Sequence, residues 1–203
     1  MKPQLESRVR TPIPTKYGEF ILHYYSNNIE DKEHVALVKG DVANKENVPV
    51  RIHSECFTGD VLGSRRCDCG EQLDMSMQLI AEVGFGVLIY LRQEGRGIGL
   101  FKKLQAYNLQ DQGMDTVDAN IHLGHLADER EYTIAALILE NLKIKSIKLI
   151  TNNPKKIDDL KKLGIKVQGR IPSEVVAHND NIGYLKTKAK KMAHMLFEPK
   201  QST

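Results

Sequence analysis

Three cysteines carry the strongest chemical signal in this chain. Cys56, Cys67 and Cys69 are the only ones among 203 residues, and they follow one another in a C-x10-C-x-C spacing. An odd count argues against a secreted disulfide framework, which favours even numbers. Thiolates suit zinc, and three protein ligands with one open position make the catalytic arrangement. His53 stands close enough in sequence to supply a fourth ligand, which would give a closed, structural site instead. A redox pair fits less well, because the shortest spacing is C-x-C rather than C-x-x-C. Zinc with an open position lowers the pKa of water to about 7 and so makes a nucleophile at neutral pH. Nucleobase deaminases aim that chemistry at a ring carbon, but their H-x-E…P-C-x-x-C pattern is absent here.

Three further stretches have chemical content. Gln93 to Gly99 carries glycines at 95, 97 and 99 around Arg96. Glycines let backbone N–H groups approach an anion, and a helix start favours negative charge. The pattern is neither a Walker nor a Rossmann signature, and a plain tight turn explains it equally well without Arg96. Ala127 to Glu131 holds four charged residues; Asp128 either caps the following helix or acts chemically. Thr151 to Lys156 joins a strand end to a helix start with two lysines, a credible phosphate site.

These residues need a scaffold, and the apolar spacing supplies one. Strands are expected at Glu19 to Tyr25, His34 to Val38 and Val48 to His53, with residues 1–15 as an extended arm containing Pro3, Pro12 and Pro14. Leu73, Met77 and Ile80 stripe a helix over Gln72 to Val83, and Val87 to Leu91 reads as a strand covered on both faces. Helices follow through Leu100, Leu104 and Tyr107 and over Glu131 to Leu142. Ser146 to Thr151, Pro154 to Leu163 and Ile165 to Gln168 make a strand–helix–strand unit, with Asn153 as N-cap and Pro154 at the first helical position. That unit should cross over right-handed and lie parallel. Leu185, Ala189, Met192 and Leu196 stripe a last helix, and 197–203 read as a loose tail. The fold class is α/β: a mixed sheet with a β-rich N-terminal part, a βαβ C-terminal part and helices packed around it.

Composition sets the outer limits. Hydrophobic residues make up 41% and charged residues 27%, as in ordinary globular proteins. No apolar run approaches the roughly 18 residues of a membrane helix, and the N-terminus shows no secretory signal, so the expected location is cytoplasmic. A net charge of +3 is too balanced for a nucleic-acid coat. The late lysines at 155–156, 161–162 and 186–191 read first as solvated helix faces, with attraction of a small anion as the alternative.

Taken in order, these motifs resemble GTP cyclohydrolase II, the first committed enzyme of riboflavin synthesis. The likeness runs through Arg51 to Cys56, Arg66 to Gly70, Arg92 to Leu100, Tyr107 to Gly113, Asp128 to Arg130 and Thr151 to Lys156, and extends from about residue 8 to about residue 196. It implies one catalytic zinc per subunit on Cys56, Cys67 and Cys69. It implies a GTP site lined by Arg51, Ile52, His53, Ser54, Glu55, Gln72, Glu94, Gly95, Arg96, Thr116, Thr151 and Lys156. Tyr107 is implied near the guanine and its C8, Asp128 as proton acceptor and Arg130 as nucleophile toward the α-phosphorus. The implied reaction opens the imidazole ring and releases formate and pyrophosphate, leaving a diaminopyrimidinone ribosylamino phosphate. Mg²⁺ accompanies the triphosphate, and the family forms homodimers. Many relatives are fused to a dihydroxybutanone phosphate synthase domain; this length leads us to expect a single activity and one domain over 1–203.

The arginine role strains the chemistry. A guanidinium keeps its proton in proteins, so charge stabilisation at the α-phosphate with water attacking is the milder reading. Two other functions compete with the full reaction. One is ring opening with the formyl group retained, against which Tyr107 speaks. The other is a non-catalytic zinc module binding nucleotide or RNA, for which no Trp and five Phe offer few stacking platforms. A nucleotide deaminase would release ammonia instead of formate.

Overall fold

The computed structural model describes residues 2–173, 180–192 and 195. Its strands are β1 (Leu5–Thr15), β2 (Gly18–Asn27), β3 (His34–Lys39), β4 (Val48–Ser54), β5 (Gly86–Leu91), β6 (Ile147–Ile150) and β7 (Val167–Ile171). They form one mixed sheet in the order β1-β2-β3-β5-β4-β6-β7. The β1-β2-β3-β5 part is antiparallel and the β5-β4-β6-β7 part is parallel. The helices are α1 (Phe57–Asp60), α2 (Cys69–Val83), α3 (Gly99–Asp111), α4 (Thr116–His122), α5 (Thr133–Asn141), α6 (Pro154–Lys162) and α7 (Ile182–Met192).

Two cores cover the sheet. Val50 and Ile52 of β4 and Val87 and Ile89 of β5 pack with Ile134 and Ile138 of α5 and Leu160 of α6. On the other face Leu88 and Ile150 pack with Ile80 of α2 and Phe20 of β2. Side chains alternate along a strand, so Arg51 and His53 fall on the side opposite Val50 and Ile52. The chain steps from β4 to β5 through α2, then passes back over β4 through α5 to reach β6. Two crossovers in opposite directions but of one hand must use opposite faces, as these do. The order reverses at β4, and the crevice beyond the strand ends there is where open α/β sheets bind ligands.

The structure differs from expectation in places. Residues 5–15 are extended but belong to the sheet as its edge strand, pairing β2 with one bulge at Arg8. Pro12 and Pro14 lack N–H groups, and an edge strand tolerates that. The short helices α1 and α4 had no strong apolar stripe to reveal them. Helix α5 starts at Thr133 with Tyr132 before it, so Asp128 is not its cap. Helix α6 keeps the expected start: the Asn153 side chain accepts from the Lys156 N–H, with Pro154 in the first turn. On α7, Ala189 is exposed rather than part of a buried stripe, and Lys188 is buried rather than solvated. Leu196 and the tail at 197–203 lie outside the described residues.

Candidate active site

The cysteine loop leaves the end of β4. Asp60 of α1 fixes its first turn by accepting from the Cys56 N–H at 2.9 Å and the Tyr90 hydroxyl at 2.8 Å. His53 Nε2 also lies 3.0 Å from that carboxylate, which takes this ring nitrogen away from the sulfurs. Helix α2 then begins at Cys69. The three sulfur atoms lie within 4.8 Å of one another, with Cys56 and Cys67 3.6 Å apart. Zn–S bonds of about 2.3 Å at tetrahedral angles would set two sulfurs about 3.8 Å apart, so the trio fits zinc. Glycine makes room for it. A Cβ on Gly59 would stand 3.0 Å from Cys67 Sγ and 3.1 Å from Cys56 Sγ. The set of metal-capable side chains found here, among the described residues, contains these cysteines and not His53.

Lys103 of α3 reaches into this corner. Its ammonium donates to Cys56 Sγ at 3.2 Å, Thr58 Oγ1 at 3.0 Å and Glu94 Oε1 at 2.8 Å. Burial disfavours its charge, but the Cys56 thiolate and Glu94 outweigh that and hold it above the usual lysine range. Glu94 accepts also from the N–H groups of Phe57 and Gly95. One helical turn beyond Lys103, Tyr107 stands with its hydroxyl 3.5 Å from Thr58 Oγ1. Burial pushes its phenol up to about 12.

The glycine turn is left-handed at Gly95 and at Arg96, where φ is 63° for both. Arginine rarely adopts that conformation, and such strain concentrates at functional sites. The turn is pinned to the Asp128 loop: the Glu129 N–H donates to the Arg96 carbonyl at 3.0 Å. A Cβ on Gly97 would lie 3.1 Å from Glu129. In that loop Arg130 donates to both oxygens of Asp128, at 2.8 and 2.7 Å. Burial would raise Asp128, but those hydrogen bonds outweigh it and hold the carboxylate below its usual range.

A buried polar chain closes the floor. Arg51 donates to the Ile150 carbonyl at 3.0 Å and to Gln72 Oε1, Gln72 donates to Asp68, and Lys188 donates to Asp68 at 2.6 Å. Lys156 Nζ donates to the Ile52 carbonyl at 2.8 Å. Burial, then the Arg51 and Arg130 charges, push Lys156 well below the usual lysine range. An anion would relieve that penalty. All of this surrounds one cleft open to solvent, in which seven Lys and Arg side chains face two glutamates.

A family model for GTP cyclohydrolase II matches residues 6–172. The chain belongs to the GTP cyclohydrolase II family. It is 57% identical over 188 residues to the riboflavin biosynthesis protein RibBA of Chlamydia muridarum, covering 92% of this chain and 44% of that protein. It is 52% identical over 193 residues to RibBA of Bacillus subtilis, covering 95% and 48%. The chain thus spans less than half the length of these curated relatives.

Of the residues expected in a GTP cyclohydrolase II site, the cleft brings together Arg51, His53, Ser54, Glu55, the three cysteines, Gln72, Glu94, Gly95, Arg96, Tyr107, Thr116, Arg130, Thr151 and Lys156. It does not include Ile52, whose side chain is core and whose carbonyl serves Lys156. Asp128 lies behind Arg130 rather than on the wall. Sequence reasoning missed Lys103, Asn120, Tyr184 and Lys188, which line the same cleft. Lys103 left a signal one helical turn from Tyr107, and Lys188 lies in the late lysine run, whose alternative reading is attraction of a small anion.

Proposed function

We propose that this chain hydrolyses GTP, opening the imidazole ring at C8 and releasing formate and pyrophosphate. The observation that carries this reading is a zinc-compatible sulfur trio sharing one cation-lined cleft with Tyr107 and Arg130. Cys56, Cys67 and Cys69 would hold zinc, which would supply Lewis acidity and activation of water. Lys103 orients the Cys56 sulfur and Glu94 at the same time. Tyr107 keeps its proton at neutral pH and donates it toward the purine as charge develops there. Arg51, Arg96 and Lys156 would balance the triphosphate charge, to which Mg²⁺ would add its own.

Arg130 works as a cation. Its fork is closed on Asp128 and its charge is held on despite burial. It therefore stabilises the α-phosphate while water attacks phosphorus. Because the cations line a recessed cleft, the reading favours a small anion over an RNA strand. The protein acts as a homodimer in the cytoplasm; Phe101, Leu126, Val61 and Leu62 are apolar and mostly exposed, which leaves apolar surface for a partner to cover. Incubation with GTP, Zn²⁺ and Mg²⁺ should yield formate, pyrophosphate and the diaminopyrimidinone. Ammonia, or a product that keeps its formyl group, would overturn the assignment.

A further inference from the structure

The family match ends at residue 172, yet the chain returns to the cleft afterwards. Helix α7 packs beside α4 and sends Tyr184 and Lys188 into the cleft wall. It is fastened to the cysteine loop at two points. Arg65 meets Asp180 at 3.1 Å just before α7, and Lys188 meets Asp68 at 2.6 Å. Asp68 stands between Cys67 and Cys69 in the chain and is fully buried. Beyond α7 the Met195 N–H donates to the carbonyl of Asn152, itself a cleft residue.

We propose that α7 is a wall of the nucleotide site, with Tyr184 offering its ring to the purine and the Lys188–Asp68 pair holding it there. This rests on the GTP reading above. Ring opening at C8 requires the purine beside the cysteines. Lys188 Nζ bonds to Asp68 and also lies 4.5 Å from the centre of the Tyr184 ring, so the ring is kept on the cysteine side of the cleft. Arg96 stands 5.9 Å from the same ring centre, so the ring lies in the cation-lined part of the cleft. An aromatic face so placed suits a base, since every base offers a π-face to stack on. Lys188 makes its ion pair rather than a substrate contact, and is a positioning residue.

The chain contains no tryptophan, so a single one introduced is a clean reporter. Tyr184→Trp in the full zinc-loaded chain should change its emission saturably with a non-hydrolysable α,β-methylene GTP, while Ala189→Trp on the exposed side of α7 stays silent. In turnover, Tyr184→Leu should raise KM roughly tenfold with little change in kcat, and Tyr184→Phe should restore it, as loss of one stacked ring implies. Lys188→Met should raise KM likewise, with rescue by Lys188→Arg. A silent Tyr184→Trp, equal responses from both tryptophans, or an unchanged KM in Tyr184→Leu would each overturn the inference while leaving the GTP reading standing. No nucleotide binding to the unsubstituted chain by calorimetry would remove the GTP reading, and this one with it.

Discussion

Asp128 and Arg130 grip each other in a two-point fork, Nε on Oδ1 and Nη2 on Oδ2, with both side chains largely buried. The fork bears on the two roles proposed for the arginine. A guanidinium so held keeps its proton, and its carboxylate partner is a weak base because its negative form is already stabilised. Lysine keeps the charge but cannot form the fork. Arg130→Lys should therefore lower kcat by about a hundredfold, the scale of losing one oriented donor, with zinc content unchanged. Mass spectrometry of protein quenched during turnover should show no phosphorus adduct on Arg130. Such an adduct, or wild-type kcat in Arg130→Lys, would refute the charge-stabilising role.

Gly70 tests the metal cradle through a conflict of signs. It lies within α2 without a left-handed backbone, where alanine would favour the helix by about 1 kcal/mol. A Cβ there would sit 2.4 Å from the Gly59 carbonyl oxygen, and backbone does not give way cheaply. Steric conflict wins, so Gly70→Ala should bind less zinc per chain by elemental analysis. A Cβ at Gly169, whose backbone is not left-handed, meets only Lys148 Cγ at 3.9 Å, so Gly169→Ala should keep its zinc. Equal zinc in both variants would contradict the cradle.

Lys103 neutralises Glu94 where both are buried. Lys103→Met leaves that carboxylate unpaired, which costs on the order of 3–5 kcal/mol. The urea midpoint should fall accordingly. The double variant Lys103→Met with Glu94→Gln should recover most of the loss. A midpoint unmoved in the single variant would show that the contact contributes nothing.

Stability should also depend on pH between 7 and 5, in a definite direction. Burial holds His23, His34 and His53 below the usual imidazole range. His34 Nδ1 accepts from the Arg92 N–H, and its Nε2 meets Glu30, so the neutral ring is the one that fits. The unfolded chain binds these protons first, at about pH 6.5. The stability they contribute is complete above that value and is lost as pH falls toward the folded pKa values. Asp128, held low, acts in the same sense but only in a more acidic window. The urea midpoint at pH 5 should lie below that at pH 7.5; equal midpoints would contradict this.

Local signals made much of the scaffold legible. Asn153 and Pro154 announce α6 because a cap and a fixed φ act within one turn. The all-apolar β5 announces a doubly covered strand. The motifs that resemble the family made most of the cleft legible too. Features decided by tertiary partners stayed hidden. Prolines disguised β1, whose edge position excuses them. Asp115 caps α4 through the N–H groups of Val117 and Asp118, but seven residues give no stripe to accompany the cap. Lys188 looked like one solvated lysine in a run, and only its partner 120 residues away makes it a buried cation.

The central claim is that Cys56, Cys67 and Cys69 hold the metal that opens the purine ring. Formate release from GTP by zinc-loaded wild type and by Cys56→Ser, assayed side by side with zinc content, tests it most directly. Wild type should release formate, and Cys56→Ser should hold less than full zinc and release no measurable formate. Wild-type formate release from Cys56→Ser would contradict it.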